Sequence, residues 1–229
     1  MSSSIYKEVL GDEFQRLHPK IQERFGFDSP ARKRAIGRGI MDRVWRGRFY
    51  TIPFLAVGAW RNIMFPEAGE NVPFIIENWA YVDSFGRETV SELRTFKLGR
   101  QRRFDGYMVR DPVRNRVVDY LGTHQHLAVD LDLSVSAVGG LCIVSGRQRF
   151  FAGPLAFNYP MAFSGRAVVH VWFDEAIRRY RIEVEVKNKQ WGPLFGYAGS
   201  FDVEWVEADP THIPKEVKPR REERRQLRP

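Results

Sequence analysis

Two histidines and two aspartates alternate with aliphatic residues in the stretch GTHQHLAVDLDLSV, residues 122–135. The polar members share one face of the strand that this pattern predicts, and they are His124, His126, Asp130 and Asp132. Two histidines at this spacing lie about 7 Å apart and could bind one metal ion if a neighbouring strand supplied a third ligand. They could also act as acid or base, with Asp130 as the orienting partner. The pattern itself favours a simpler interpretation, a strand whose polar face is in water.

Aromatic rings and ionisable groups also share one face of two further predicted strands, opposite an aliphatic face. They are Glu77, Trp79 and Tyr81 in the first strand, and His170 and Trp172 in the second. Bulky rings beside a few charges are typical of ligand cavities. These mixed faces would line a lumen if the helical first quarter covered the aliphatic faces from outside. Otherwise their rings are amphipathic surface residues.

Two arginines complete the set of candidate ligand-binding residues. Arg147 and Arg149 lie on one strand face with Phe151 in SGRQRFF, and their guanidinium groups could pair with a carboxylate or phosphate in such a lumen. The simpler alternative is two exposed arginines near a strand end. Because the two-residue period ties the faces of each strand together, we expect five of the candidates to be mostly buried together or mostly exposed together, namely Trp79, Tyr81, His124, His126 and His170.

Several kinds of site are excluded by what the sequence lacks. It has no dinucleotide fingerprint, Walker loop, HExxH or CxxC motif, so no catalytic residue, metal ligand or cofactor is assigned. Cys142 is the one cysteine and lies in apolar surroundings, which predicts an inert thiol in a reducing compartment. The net charge of +8 suggests an anionic partner or serves solubility. The basic stretches lack ordered aromatic interleaving, which argues against nucleic-acid binding.

The elements that must position these residues follow from periodicity. Helix-like spacings predict two short helices in residues 5–25, and a strand is expected at Ala35–Trp45. The nearly unbroken apolar run FYTIPFLAVGAWRNIMF is interpreted as a helix or plug buried against the main body. A period of two then marks strands near residues 74–83, 88–97, 103–110, 115–121, 126–136, 141–151, 165–174, 178–187 and 194–206.

These segments predict a mainly β fold. Their connections are too short for crossovers between parallel strands, so the pairing should be antiparallel. We expect a barrel or strongly curved sheet of about nine or ten strands, lipocalin-like in outline, with short N-terminal helices and one apolar helix or plug. Residues 1–206 form one domain in this prediction, and residues 207–229 form a basic, disordered tail. Charges near the N-terminus interrupt any signal peptide, and no apolar run can span a bilayer, so a cytoplasmic protein is expected.

The chain also resembles a known family, the uncharacterised bacterial domain-of-unknown-function family 4166, in its Bacillus-type version. The similarity covers residues 5–206 and is carried by IYKEVLGDEFQRLHPKIQERFG, FGRETVSELRTF, RRFDGYMV, VDYLGTHQHLAVDLDLSV, SGRQRFFAGPL, FSGRA and GPLFGYAGSFDVEW. It implies no activity, because the family has none established. Similar proteins can be fused to a saccharopine dehydrogenase-like domain or to membrane segments, which implies work alongside a metabolic enzyme or at a membrane surface.

The leading functional hypothesis is that a barrel cavity binds a hydrophobic or amphipathic small molecule, such as a lipid. One alternative is an enzyme that uses His124, His126 and Asp130. Another is an interaction module without a ligand. The sequence specifies neither the ligand nor the oligomeric state.

Overall fold

The main feature of the computed structural model, which describes residues 3–159 and 164–226, is an antiparallel sheet that closes into a barrel of ten strands with one further strand outside the ring. In chain order the strands are β1 (Lys33–Arg46), β2 (Gly69–Val82), β3 (Glu88–Leu98), β4 (Arg100–Asp111), β5 (Arg116–Leu121), β6 (Leu127–Val135), β7 (Leu141–Ala152), β8 (Leu155–Asn158), β9 (Arg166–Asp174), β10 (Arg179–Asn188) and β11 (Gly192–Glu207). The predicted antiparallel barrel is therefore confirmed.

The pairing of β1 with β11 and the pairing of β6 with β7 close the ring, and β1 also pairs with β2. β8 lies outside the ring, because it pairs only with the end of β7, Arg149–Ala152. Every predicted strand overlaps an observed one, whereas β8 was not predicted because its four residues are too few to establish a period.

The aliphatic face of each strand of the ring points into the lumen, where these faces form one continuous apolar core. The short N-terminal helices α1 (Ile5–Leu10) and α2 (Pro19–Phe25), joined by a 3₁₀ turn, close one end of the barrel. Their side chains Ile5, Ile21 and Phe25 are buried in the same core. α2 begins at Pro19, a residue suited to the first helical position, and the His18 side chain accepts a hydrogen bond from the Lys20 amide. The two predicted N-terminal helices are confirmed.

A third helix, α3 (Ile52–Trp60), lies at the opposite end of the barrel, which we call the mouth. The sequence predicted an apolar helix or plug here, and the helix is present. It is not buried as expected, because Leu55 is its fully buried residue while Phe54, Val57 and Trp60 are exposed. The helix lies over the mouth as a lid and leaves these three apolar side chains accessible. Within the described residues, no helix is long and apolar enough to cross a membrane.

Residues 208–226, the outer strap, follow the outside of the barrel. The Arg220 amide donates to the Thr123 carbonyl at 2.7 Å, and the Tyr120 hydroxyl donates to the Arg225 carbonyl at 2.7 Å. Val217 is buried against the outer wall, and Glu223 is buried in ion pairs with Arg225 and Arg221. The segment 207–229 was expected to be a disordered tail; its described residues pack on the barrel, and residues 227–229 lie outside the described part. The reason is that a few buried side chains and many backbone contacts compensate for its low aliphatic content.

We expect Val217→Asp to destabilise the protein by about 2 to 3 kcal/mol, because it places an unpaired carboxylate among aromatic rings. Urea unfolding followed by tryptophan fluorescence measures this change. Val113→Asp is the matched control, since Val113 is 92% exposed and its replacement should change stability by less than about 0.5 kcal/mol. Equal stability of the two variants would show that the strap does not pack on the wall.

Candidate functional site

Of the two places open to the mixed faces, the lumen and the outer surface, the structure places them on the outer wall. Trp79 is buried in a second apolar cluster with Tyr107, Tyr120 and Val217, outside the barrel and beneath the strap. Tyr81 is also buried, with the Lys218 ammonium 5.6 Å from its ring centre. The lumen assignment is corrected for a physical reason: the N-terminal helices enter the end of the barrel and take the aliphatic faces as their partners, while the strap covers the aromatic faces.

The charged candidates of the outer wall have local partners. Glu77 accepts a hydrogen bond from Arg34 at 2.8 Å, and the Arg34 guanidinium lies 4.4 Å from the Trp79 ring centre. Arg149 donates to Asn158 at 3.3 Å, and Arg147 is exposed. Arg147 and Arg149 therefore do not form an anion site in the lumen.

His170 and Trp172 form a stacked pair on the outer side of β9, with ring centres 4.5 Å apart. His170 also contacts the Ser136 hydroxyl at 3.0 Å. Partial burial lowers the pKa of His170. The pair faces away from the lumen. Val169 and Val171, which alternate with it on β9, belong to the lumen core.

The histidines of GTHQHLAVDLDLSV lie just before β6, near the mouth. His124 and His126 stack with ring centres 5.5 Å apart, and His126 contacts the Phe151 carbonyl through Nδ1 at 2.7 Å. Burial and the neighbouring Arg61 lower the pKa of His124. Asp130 is buried on the outer wall and pairs with Arg114 at 2.5 Å.

The contacts therefore do not bring Asp130 together with either histidine, and the expected His and Asp pair is not assembled. Of the five side chains expected to be mostly buried or mostly exposed together, Trp79 and Tyr81 are buried, and His124, His126 and His170 are half-buried. In the part of the chain that the structure describes, no group of three or more His, Cys, Asp or Glu side chains is placed to hold a metal ion.

An apolar cavity of about 450 Å³, the mouth cavity, lies beneath α3 and opens into the lumen. Phe54, Val57 and Trp60 of the lid line it together with His126 and Phe150. His126 is therefore the one predicted candidate that borders this cavity among the described residues, and it does so at the rim.

The wall beside the mouth cavity is held by side chains instead of a backbone ladder. β7 and β9 pair only between Leu141–Val144 and residues 168–171. Beyond that point Ser145 accepts a hydrogen bond from the Ala167 amide at 2.7 Å, and the Gln148 side chain donates to the Gly165 carbonyl at 2.8 Å. The separation of the two strands makes room for the cavity.

A second, smaller cavity of about 90 Å³ lies deeper in the lumen, and we call it the inner cavity. Six residues line both cavities, so the two adjoin: Phe104, Leu121, Val129, Ser145, Ala167 and Val186. Four charged residues line only the inner cavity and are named the inner polar cluster: Arg24, Glu92, Arg94 and Asp119.

Two members of the inner polar cluster, Glu92 and Arg94, lie on β3 and pair with each other. Arg94 Nε lies 3.4 Å from a Glu92 oxygen, and Arg94 Nη1 donates to the Tyr197 hydroxyl at 3.3 Å. Asn78 donates to the other Glu92 oxygen at 3.2 Å. Glu92 is therefore held by Arg94 and Asn78, and Arg94 is held through Nη1, whereas Arg94 Nε makes no hydrogen bond with a described residue.

Asp119 enters the cluster from β5 and accepts a hydrogen bond from the Tyr107 amide at 3.0 Å. Gly106 makes this approach possible, because a Cβ atom there would lie 2.8 Å from the Asp119 carboxylate and 3.2 Å from Arg94 Nη2. Burial raises the pKa of Asp119 to about 7, against the lowering effect of Arg94. Asp119 can therefore exchange a proton near neutral pH.

Arg24 reaches the cluster from α2. Unlike Arg94, it forms no ion pair with a described residue. It is 2% exposed, its guanidinium lies over the rings of Phe201 and Phe25, and its Nε and Nη1 atoms have no hydrogen-bond partner among the described residues. Burial lowers the pKa of Arg24, partly offset by Glu92. A buried cation with free N–H groups is a group that could bind an anion.

These four residues are not among the predicted site residues. A signal for three of them was present: Glu92 and Arg94 alternate in phase with Val90 and Phe96, and Asp119 alternates with Val117 and Leu121. Charges on the apolar phase of a strand indicate buried polar groups. Arg24 had no comparable signal, because a helix of seven residues does not define which side faces a barrel.

We expect the stability of the wild-type protein to fall as pH rises through the range in which Asp119 ionises. A carboxyl whose pKa is raised on folding is protonated in the folded state and ionised in the unfolded state, so folding takes up a proton between about pH 4 and pH 7. The loss should be on the order of 2 kcal/mol between pH 5 and pH 8.

Asp119→Asn should remove this contribution, which urea unfolding at a series of pH values will test. Asp132→Asn is the control, because Asp132 is an exposed carboxylate on the outer wall and its replacement should leave the wild-type slope unchanged. Parallel pH profiles for Asp119→Asn and the wild-type protein would contradict the assignment.

Comparison with known proteins gives a family but no activity. The family model described as "Domain of unknown function (DUF4166)" matches residues 17–201. The curated "Uncharacterized protein YndH" of Bacillus subtilis (strain 168) is 32% identical over 203 residues, which cover 88% of this chain and 98% of the relative. No solved structure matches this chain. Neither similarity supplies a ligand or a reaction.

Proposed function

Since this chain belongs to the DUF4166 family, whose description assigns no activity, we propose its function from the cavities: the barrel binds a hydrophobic or amphipathic small molecule. The observation that carries the proposal is the apolar mouth cavity of about 450 Å³ beneath α3. Concave, mostly apolar cavities of this size are the usual sites for small-molecule ligands.

The arrangement of the two cavities supports an elongated ligand. The mouth cavity is lined mostly by rings and aliphatic side chains, with Arg61, His126 and Gln148 among its polar members, and it adjoins the inner cavity through six shared residues. A molecule that entered below α3 would bury its apolar part against Phe104, Leu121 and Val129. Burial of apolar area contributes about 25 cal/mol per Å². The inner cavity would then receive the end of the molecule.

An enzyme that uses a His and Asp pair has no specific support. Asp130 pairs with Arg114, and His126 contacts a backbone carbonyl. An interaction module without a ligand would leave the mouth cavity unexplained. Binding in the lumen is the function that the geometry supports best.

We expect wild-type protein to bind one equivalent of the neutral apolar fluorophore N-phenyl-1-naphthylamine, and Ala167→Trp to weaken this binding by at least about tenfold. Ala167 lines both cavities, so an indole there fills the space that the probe needs. A tenfold loss corresponds to about 1.4 kcal/mol. Fluorescence titration gives the affinities.

The control is Val168→Trp. Val168 is the next residue of β9, 46% exposed on the outer wall, so this variant adds the same ring without filling the lumen. It should bind the probe as the wild-type protein does. Absence of saturable binding to the wild-type protein, or equal binding by both variants, would refute binding in the lumen.

A further inference from the structure

We propose that the bound molecule carries a monoanionic head group, such as a carboxylate, that pairs with Arg24 in the inner cavity while its apolar part extends toward the mouth. This inference rests on the proposed function, because it names the class of ligand for the same lumen. The ligand would be an amphipathic acid, in contrast to a neutral apolar molecule.

Arg24 carries the proposal through its unpaired donors. A guanidinium group is always charged in proteins and presents N–H groups that match a carboxylate. Arg24 is almost fully buried, yet Nε and Nη1 donate to no described residue. The rings of Phe25, Tyr180 and Phe201 lie within 6 Å of its guanidinium carbon, but a ring face does not replace a hydrogen-bond acceptor. A carboxylate in the inner cavity would satisfy these donors.

The neighbouring acids do not already perform this role. Glu92 is occupied by Arg94 and Asn78, and Asp119 is hydrogen-bonded to the Tyr107 amide. Arg24 forms no ion pair with a described residue. Its charge is therefore available to a ligand.

The charge balance of the cluster favours a monoanion. The groups that face one another there are Arg24 and Tyr6 from the N-terminal helices, Asn78 from β2, Glu92 and Arg94 from β3, Asp119 from β5, Tyr180 from β10 and Tyr197 from β11. With Asp119 protonated, two arginines oppose one carboxylate, and the cluster has one excess positive charge. One carboxylate from the ligand would neutralise it, which a low-dielectric interior strongly favours.

The position of the cluster sets the orientation of the ligand. Arg24 and Arg94 line the inner cavity, whereas the lining of the mouth cavity is predominantly apolar. The head group therefore lies deep in the lumen, and the tail points toward α3. A charged head group left at the mouth would place the apolar tail against four buried charged residues, which costs free energy.

The test compares decanoate with 1-decanol, two chains of equal length that differ in the head group. Competition against N-phenyl-1-naphthylamine measures both affinities at pH 6. We expect the wild-type protein to bind decanoate at least about tenfold more tightly, the effect of one hydrogen-bonded charge pair. Arg24→Met should reduce this preference to below about threefold without weakening the binding of decanol.

Arg16→Met is the matched control, because Arg16 is an exposed arginine of the same N-terminal region and its replacement should leave the preference unchanged. Affinity for decanoate should also fall as pH rises through about 7, because ionised Asp119 adds a negative charge near the ligand, and Asp119→Asn should flatten that dependence.

The outcomes separate this inference from the proposed function. Equal affinity of the wild-type protein for decanoate and decanol would overturn the anionic head group while leaving binding in the lumen intact. That comparison needs no variant, so it decides the question even if Arg24→Met fails to fold. If the wild-type protein binds neither the fluorophore nor either chain, both proposals fail.

Discussion

A closed barrel of ten antiparallel strands encloses more space than the side chains of its own strands readily fill. The other features of this protein either fill part of that space or leave it as a cavity. The N-terminal helices occupy one end with Ile5, Ile21 and Phe25, and rings such as Phe74 and Phe96 fill part of the middle. The space that remains lies toward the mouth, beneath α3. The same constraint explains why the aliphatic faces point inward, because inside the barrel they pack against the N-terminal helices. The aromatic faces then lie outside, where the strap covers them.

Charged groups inside this barrel are costly, and their arrangement limits the cost. Arg94 and Glu92 pair across one strand face, with Tyr197 and Asn78 satisfying further donors and acceptors. Such a pair is a weak source of stability, since desolvation offsets much of its attraction. Buried charged residues that cost stability are candidates for function. Asp119 can approach Arg94 because Gly106 has no side chain in the space between them.

Most of the fold could be predicted from the sequence, because alternation of apolar and polar residues determines strands and short connections determine antiparallel pairing. The pattern could not reveal which face points inward, since Trp79 and Tyr81 are compatible with a lumen as well as with a covered outer wall. That choice depends on residues distant in sequence, namely the N-terminal helices and the strap. Of the predicted site residues, His126 borders the mouth cavity. Glu92, Arg94 and Asp119 were not predicted, because they lie on aliphatic faces and only mixed faces were taken to indicate a ligand site. Arg24 could not be placed by periodicity at all.

The pairing of β1 with β11 has a consequence for the order in which the protein folds during synthesis. Residues 33–46 find one of their two strand partners in residues 192–207, so the ring cannot close until those later residues have left the ribosome. Until then β1 has an unpaired edge, and α1 and α2 have no enclosed lumen to enter. Contacts of such large sequence separation slow folding, and unpaired strand edges are prone to associate with other chains. The nascent chain is thus most vulnerable to aggregation just before its last strand emerges.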